Sequence, residues 1–263
     1  MEYTIHVNGR LLSLSKPVVM GILNATPDSF YAGSRAQTEE AIMARARQIL
    51  DEGAEIIDVG ACSTRPGGEV ATEQQEMQRL RVALTAIRKV APEAVVSVDT
   101  FRPEVARMAI DEFGAGIIND VSEGEDPAMF PLVAKKDVAY ILMSVKGNLH
   151  DMLISMAQEV QRLRDLGQKD IILDPGFGFG KTMEENYALL GEMDKMRVME
   201  LPLLAGISRK RMIHQVLGIT PDESLNGTTV LNTIALMKGA SILRVHDVRE
   251  AVQAVKLFNH LNP

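Results

Sequence analysis

The sequence predicts a single α/β domain, a closed (β/α)8 barrel of the TIM type preceded by an N-terminal β-hairpin. The chain has 263 residues, and one such barrel commonly occupies a chain of about this length. Short apolar runs alternate with helical patterns eight times, which indicates parallel strands joined by helices. No linker or change of composition divides the chain, so we expect one domain over residues 1–263. A doubly wound open sheet, which would bind at a switch point, is the alternative fold.

The first elements are a hairpin and a strand–helix unit. Residues 4–7 and 10–14 flank Asn8-Gly9, a strong two-residue hairpin signal, and we expect the hairpin within residues 1–15 to close the N-terminal mouth of the barrel. Residues 18–23 are typical of a buried strand that ends at Asn24. A helix is then predicted over residues 38–52, with Gly53 as its stop.

The same unit repeats along the rest of the chain. Apolar runs predict further strands at residues 55–59, 94–98, 117–118, 140–143, 171–173, 203–207 and 242–245. Capping boxes at Thr72 with Gln75 and at Thr182 with Glu185 begin two of the intervening helices, and Pro103 lies in the first turn of another. Further helices are predicted after Asp126, over residues 151–166, 209–217 and 222–238, and from residue 247 onward.

Composition and charge limit the classes of partner. Hydrophobic content of 46% with 24% charged residues is ordinary for a globular protein with a large core. A net charge of −7 and a pI of about 5.3 argue against nucleic acid or an anionic membrane. The one cysteine, Cys62, excludes an intramolecular disulfide. We see no signal peptide and no membrane-spanning apolar run, so a cytoplasmic location is expected.

Polar side chains end all eight predicted strands. In a barrel of parallel strands the C-terminal strand ends meet at one mouth, where the chemistry lies. Any strand end that leaves a core turns polar, but carboxylates, amides and basic groups together favour a small-molecule site. The strand ends carry Asn24, Ser63-Thr64-Arg65, Asp99-Thr100, Asn119-Asp120, Ser144, Asp174, Ser208-Arg209-Lys210 and Arg244-Val245-His246.

These side chains divide into two chemical groups. The first suits a planar polar heterocycle, although paired carboxylates also serve as general acid and base or as metal ligands: Asp99, Asn119, Asp174 and Lys210. The second consists mostly of donors of the kind that hold phosphate: Asn24, Thr64, Arg65, Arg244 and His246. Together they predict a phosphorylated heterocyclic substrate. A nucleotide P-loop at residues 175–182 is excluded because Pro175 occupies the position of its first glycine.

Seven spaced segments resemble the dihydropteroate synthases, a family of pterin-binding TIM barrels. They cover nearly the whole chain in the family's order: residues 20–30 (MGILNATPDSF), 63–67 (STRPG), 96–100 (VSVDT), 118–121 (INDV), 173–181 (LDPGFGFGK), 206–210 (GISRK) and 244–248 (RVHDV). The resemblance implies condensation of 6-hydroxymethyl-7,8-dihydropterin pyrophosphate with 4-aminobenzoate to give 7,8-dihydropteroate and pyrophosphate in folate synthesis. It also implies Mg²⁺ as cofactor and a homodimer formed through barrel helices.

The resemblance further implies a role for each matching residue. The pterin would be held by Asp99, Asn119, Met143, Asp174, Gly206 and Lys210. The pyrophosphate would be held by Asn24, Thr64, Arg65, Arg244 and His246, with Asn24 also a ligand of Mg²⁺. The aminobenzoate would be bordered by Thr64, Arg65, Pro66, Phe179 and Ser208. Catalysis would rest on Asp99, Lys210, Asn24, Arg244 and His246, and loops at residues 24–34 and 61–68 would close over the substrates.

Three departures from the family pattern leave these residues untouched. Ser144 stands where the family usually has histidine, residues 31–34 replace Ser-Asp-Gly-Gly, and Ala61-Cys62 replaces Gly-Glu. We expect them to alter loop closure or inhibitor sensitivity, with Cys62 a packing residue. Lys181 is expected to close a turn or contact a substrate anion. The alternative functions are a methyltetrahydrofolate–corrinoid methyltransferase domain and a non-catalytic pterin-binding paralogue.

Overall fold

A computed structural model describes residues 3–26, 35–62 and 71–261, and within these ranges it begins with the predicted hairpin. Strands β1 (Thr4–Val7) and β2 (Arg10–Ser13) pair antiparallel. Asn8 and Gly9 between them have φ of 51° and 75°, as a type I′ turn requires at both central positions. The hairpin predicted from the two-residue turn signal is therefore present.

Eight parallel strands form a closed barrel, which confirms the predicted fold and makes the open-sheet alternative wrong. Every strand pairs with its neighbours in chain order, and β10 closes on β3. The strands are β3 (Val18–Asn24), β4 (Ile56–Gly60), β5 (Val95–Asp99), β6 (Ile117–Asp120), β7 (Ala139–Met143), β8 (Ile171–Asp174), β9 (Leu203–Ala205) and β10 (Ala240–Val245).

Helices connect the strands and form the outer layer. Both predicted capping boxes are present, with Thr72 and Thr182 accepting from the backbone N–H three residues on. The structure adds a 3-10 helix, Met193–Met199, which the sequence did not predict. The α-helices are α1 (Arg35–Asp51), α2 (Glu73–Val90), α3 (Pro103–Phe113), α4 (Met129–Lys136), α5 (Leu149–Asp165), α6 (Met183–Glu192), α7 (Arg211–Leu217), α8 (Leu225–Met237) and α9 (Val248–Leu261).

The hairpin closes the N-terminal mouth of the barrel, as predicted. Ile5, Val7 and Leu14 are buried against the inward-facing side chains of the lower barrel. The Asn8 side-chain amide donates to the carbonyl oxygen of Gly114 at 3.0 Å. The hairpin therefore packs its apolar side chains onto the lower end of the barrel interior.

The barrel interior changes from apolar to polar along most of the strands, although β7 and β9 stay apolar. Side chains alternate between the helix layer and the interior, so residues two apart share a face. Along β4, for example, Ile56 lies in the apolar lower layer, Asp58 follows on the same face, and Gly60 ends the strand. Some of the polar side chains near the C-terminal mouth therefore lie within the strands and not in the loops that follow them. Across the described ranges, no helix is both long enough and apolar enough to pass through a bilayer.

Candidate active site

Three polar side chains line the interior where β4, β5 and β6 are neighbours. Asp58 pairs in register with Ser97, and Asp99 pairs with Asn119. Asp58, Ser97 and Asn119 are each at most 1% exposed. Asp58 Oδ1, Ser97 Oγ and Asn119 Oδ1 have no hydrogen-bond partner in the described part of the chain. Because an unpaired buried polar atom costs about 1–3 kcal/mol, these atoms indicate a ligand that supplies hydrogen-bonding groups.

Arg244 reaches across the barrel to two carboxylates. Its Nε donates to Asp58 Oδ2 at 2.6 Å, and its Nη2 lies 2.7 Å from Asp99 Oδ2. The Asn119 side-chain amide also approaches Asp58 Oδ2, at 3.4 Å. The Arg244 guanidinium is thus held by one carboxylate from β4 and one from β5. Its binding of pyrophosphate stays a prediction.

Asp99 titrates near neutral pH in this arrangement. Burial raises the pKa of its carboxyl from 3.8 to about 7, the Arg244 charge opposes that rise, and the Asp58 charge adds to it. One arginine therefore serves two carboxylates that repel each other. At neutral pH a substantial fraction of Asp99 carries a proton in the free protein.

Asp58 is the functional candidate that the sequence analysis missed. It lies inside the predicted strand at residues 55–59, whereas the residues assigned to the end of that strand were Ser63, Thr64 and Arg65. The signal was available, since Asp58 stands between Ile57 and Val59 and shares a face with Gly60. A carboxylate in the middle of an apolar strand needs an interior partner, and that partner is Arg244.

The turn after β8 is held by Lys181. The Asp174 Oδ1 atom accepts from the Gly176 N–H at 2.7 Å, and burial raises the pKa of Asp174. The Lys181 ammonium donates to the carbonyl oxygens of Ser144, Gly176 and Phe179 at 2.7, 2.9 and 3.2 Å. These contacts support the expectation that Lys181 closes a turn, and they attach that turn to the end of β7.

Lys210 projects from the end of β9 towards the same turn. Its ammonium bonds the Phe177 carbonyl oxygen and lies 4.6 Å from the centre of the Phe179 ring. Burial lowers the pKa of Lys210 to about 8, while the nearby Asp174 carboxylate favours its charged form. Lys210, predicted to bind the pterin, and Phe179, predicted to border the aminobenzoate, are thus in contact. Asp174 is close enough to affect the pKa of Lys210.

His246 and Ser208 connect the ends of β9 and β10. The Ser208 hydroxyl lies 3.1 Å from His246 Nδ1 and accepts from the His246 backbone N–H at 3.2 Å. Burial, reinforced by the Arg244 charge, lowers the pKa of His246 to about 4. The imidazole is therefore neutral at pH 7 in the free protein, so it can donate a hydrogen bond but carries no positive charge.

Asn24 and Asp99 bring side-chain oxygens close to Gly60. A Cβ atom at Gly60 would lie 3.9 Å from Asn24 Oδ1 and 3.8 Å from Asp99 Oδ2. Within the described ranges no three His, Cys, Asp or Glu residues group to hold a metal ion. Mg²⁺ suits such a place, because it commonly takes one or two protein oxygens together with substrate phosphates. The oxygen donors present therefore fit Mg²⁺.

The remaining predicted residues fall into two sets. Met143 is buried at the end of β7, and Gly206 follows β9 against the Arg244 side chain. Ser144, one of the departures, donates to Glu123 at 2.6 Å and so connects the loops after β6 and β7. Thr64, Arg65 and Pro66, and most of the two predicted closing loops, lie outside the described residues.

Comparisons with known proteins agree on one family. The family described as pterin binding enzyme matches residues 20–246. Dihydropteroate synthase of Escherichia coli (strain K12) is 38% identical over 268 residues, covering 96% of this chain and 94% of the relative. The Xanthomonas albilineans enzyme solved with 4-aminobenzoic acid is 33% identical, with a TM-score of 0.93 over 100% and 99% of the two chains. A Yersinia pestis dihydropteroate synthase–sulfonamide complex is 34% identical, with a TM-score of 0.89 over 99% of each chain.

Proposed function

The chain belongs to the dihydropteroate synthases of the pterin-binding enzyme family, and on this premise we propose that the polar mouth of its barrel performs their condensation. The substrates are 6-hydroxymethyl-7,8-dihydropterin pyrophosphate and 4-aminobenzoate. The products are 7,8-dihydropteroate and pyrophosphate, so the activity is that of a transferase in folate synthesis.

The observation that carries the proposal is the set of unpaired buried oxygens inside the barrel. Asp58 Oδ1, Asn119 Oδ1 and Ser97 Oγ are buried without partners among the described residues. A dihydropterin carries N–H groups and ring acceptors along its edges, and it would satisfy these atoms where a purely apolar ligand would not. The buried carboxylate of Asp174, at the end of β8, adds further hydrogen-bond acceptors to the interior.

Lys210 and Phe179 lie where we expect the binding positions of the two substrates to meet. The lysine ammonium lies over the phenylalanine ring, so one residue pair offers a charged face and an apolar face. We assign Lys210 to the pterin and Phe179 with Ser208 to the aminobenzoate, whose flat ring suits an aromatic wall. Sulfonamides resemble aminobenzoate in shape, and we expect them to compete for this second position.

The reaction requires no covalent enzyme intermediate. The bond between the pterin methylene carbon and the pyrophosphate oxygen breaks, and its electron pair leaves with pyrophosphate. The aryl amine is unprotonated at neutral pH, forms the new carbon–nitrogen bond with its lone pair and then releases a proton to solvent. Asp58 and Asp99 lie where they would stabilise positive charge developing on the pterin, and Arg244 with neutral His246 would stabilise the departing anion.

Mg²⁺ is the cofactor that we propose for the leaving group. When bound, it would neutralise charge on pyrophosphate as a Lewis acid. Asn24 would hold it through Oδ1, with Asp99 Oδ2 facing the same space beside Gly60. The binding of Mg²⁺ to Asn24→Ala can be compared with wild type by calorimetry in the presence of pyrophosphate, and equal affinities would remove Asn24 as a ligand.

Turnover of the two substrates tests the proposed function. Purified protein is mixed with the pterin pyrophosphate, aminobenzoate and Mg²⁺, and both pyrophosphate release and dihydropteroate formation are followed. We expect equal amounts of the two products, with none when aminobenzoate is omitted. Tight pterin binding without release would instead indicate a non-catalytic pterin-binding protein.

We also propose a homodimer formed by the outer faces of α7, α8 and α9. These helices expose large apolar side chains that the rest of the described chain leaves uncovered: Val216, Leu217, Val230, Met237, Leu257 and Leu261. Exposed apolar groups that lie on adjacent helices are typical of an interface. Sedimentation should show a dimer for wild type and a monomer for Leu257→Glu, and a monomeric wild type would reject the proposal. The cytoplasmic location stays a prediction.

A further inference from the structure

The turn that precedes Lys210 contains a residue in an unfavourable backbone conformation. Lys210 N–H donates to the Ile207 carbonyl oxygen at 3.1 Å, which closes a four-residue turn with Arg209 in its third position. Arg209 has φ of 56°, in the left-handed region that glycine usually occupies. A side chain that costs energy at this position needs a compensating contact.

For Arg209 that contact is a bidentate ion pair with Asp247. Arg209 Nε donates to Asp247 Oδ2 at 3.0 Å, and Nη2 donates to Oδ1 at 2.6 Å. The Asp247 side chain is 14% exposed. Arg209 also contacts Asp222 at 3.2 Å, but that carboxylate is 97% exposed and makes a single contact with the arginine. The parallel, partly buried pair is the strong one.

The ion pair connects the two strand ends that carry Lys210 and His246. Asp247 directly follows His246, and Arg209 directly precedes Lys210. The neighbouring Ser208 hydroxyl bonds His246 in parallel with the ion pair. The Arg209 backbone N–H donates to Thr228 Oγ1 at 3.1 Å, which attaches the turn to α8.

We propose that Arg209 and Asp247 are positioning residues for the reaction, and that their ion pair holds Lys210 and His246 in one geometry. As positioning residues, Arg209 and Asp247 make no contact with substrate. Both act by fixing the turn at residues 207–210 against the end of β10. The inference rests on the roles proposed above for Lys210 and His246.

Matched substitutions of the two aspartates test the proposal. Asp247→Asn is isosteric and weakens the buried pair, whereas Asp222→Asn weakens the exposed one and leaves catalytic groups untouched. We expect Asp247→Asn to lower kcat by about 100-fold, the size of effect that a small misplacement of catalytic groups produces. The Michaelis constant for the pterin pyrophosphate should change less, because Asp58, Asn119 and Asp174 lie on other strands. Asp222→Asn should match wild type.

Two substitutions of Arg209 separate positioning from a general effect on folding. Glycine adopts the left-handed conformation freely and alanine does not, so Arg209→Gly should retain at least about fivefold more kcat than Arg209→Ala. All variants are assayed well below their unfolding temperatures. If Asp247→Asn lowers only the unfolding temperature, or matches Asp222→Asn in kcat, the positioning role is wrong. An inactive wild type would reject the proposed function instead, so the two failures are distinguishable.

Discussion

Replacement of Asp99 by asparagine should remove a loss of stability that wild type suffers as the pH rises, and it should also remove activity. The folded-state pKa of about 7 exceeds the ordinary value of 3.8 because burial outweighs the attraction of Arg244. Between these pH values the folded state binds a proton that the unfolded state has released. The associated stability is therefore complete below pH 3.8 and is lost as pH rises through 7.

The size of this effect follows from the two pKa values. At about 1.4 kcal/mol per pH unit, the loss in wild type amounts to roughly 4 kcal/mol by pH 8, and more than half of it falls between pH 5 and pH 8. Asp99→Asn has no such proton to lose. Its free energy of unfolding relative to wild type should therefore rise by that share of the loss over this interval.

Urea unfolding of Asp99→Asn and wild type at pH 5, 6, 7 and 8 measures the difference. Asp222→Asn is the control, because the Asp222 side chain is 97% exposed and should give a difference that does not vary with pH. A difference for Asp99→Asn that stays constant or falls between pH 5 and pH 8 would show that the Arg244 ion pair outweighs burial. Turnover by Asp99→Asn should be lost if Asp99 acts on the pterin.

Further predictions concern three other positions. Because the pKa of Lys210 is lowered to about 8, kcat/KM for the pterin pyrophosphate should fall above that pH, and a rate profile flat to pH 10 would contradict a protonated lysine in the reaction. Gly176→Ala should destabilise the protein by about 3 kcal/mol or more in urea unfolding, since the new Cβ would lie 2.2 Å from the Ser144 carbonyl oxygen at φ of 67°. Gly167→Ala, at φ of 89° with open space around it, is the control and should cost only about 1 kcal/mol. Cys62→Ala should keep its activity, and an inactive but folded variant would make Cys62 part of the chemistry.

Much of the fold could be predicted because local signals agree with the global arrangement. Asn8-Gly9 specifies a turn with positive φ at both residues, and the capping boxes at Thr72 and Thr182 fix two helix starts. Strand boundaries are harder to predict, because apolar residues continue beyond some strands and polar residues end others. The 3-10 helix at Met193–Met199 carries no comparable local signal, because it depends on packing after α6.

Sequence patterns predicted those site residues that lie at the ends of the apolar runs. Asp99, Asn119 and Asp174 follow apolar runs and were found in this way. Asp58 lies within its strand, and its function depends on Arg244, which is 186 residues away in sequence. The neutral state of His246 likewise arises from burial and from a distant arginine, which no local pattern encodes.

A crystal structure with the dihydropterin substrate would show where the pterin ring binds. We expect the ring to lie inside the barrel, with its N–H groups within about 3.2 Å of Asp58 Oδ1 and Asn119 Oδ1, the usual limit of a hydrogen bond. Asp174 should contact the same ring from β8. The alternative place is the cavity of about 720 Å³ beside the loop after β6, whose lining includes Phe101 after β5, Glu125 in that loop and Arg162 on α5. A ring bound there, with the barrel oxygens left unpaired, would contradict the assignment of the site.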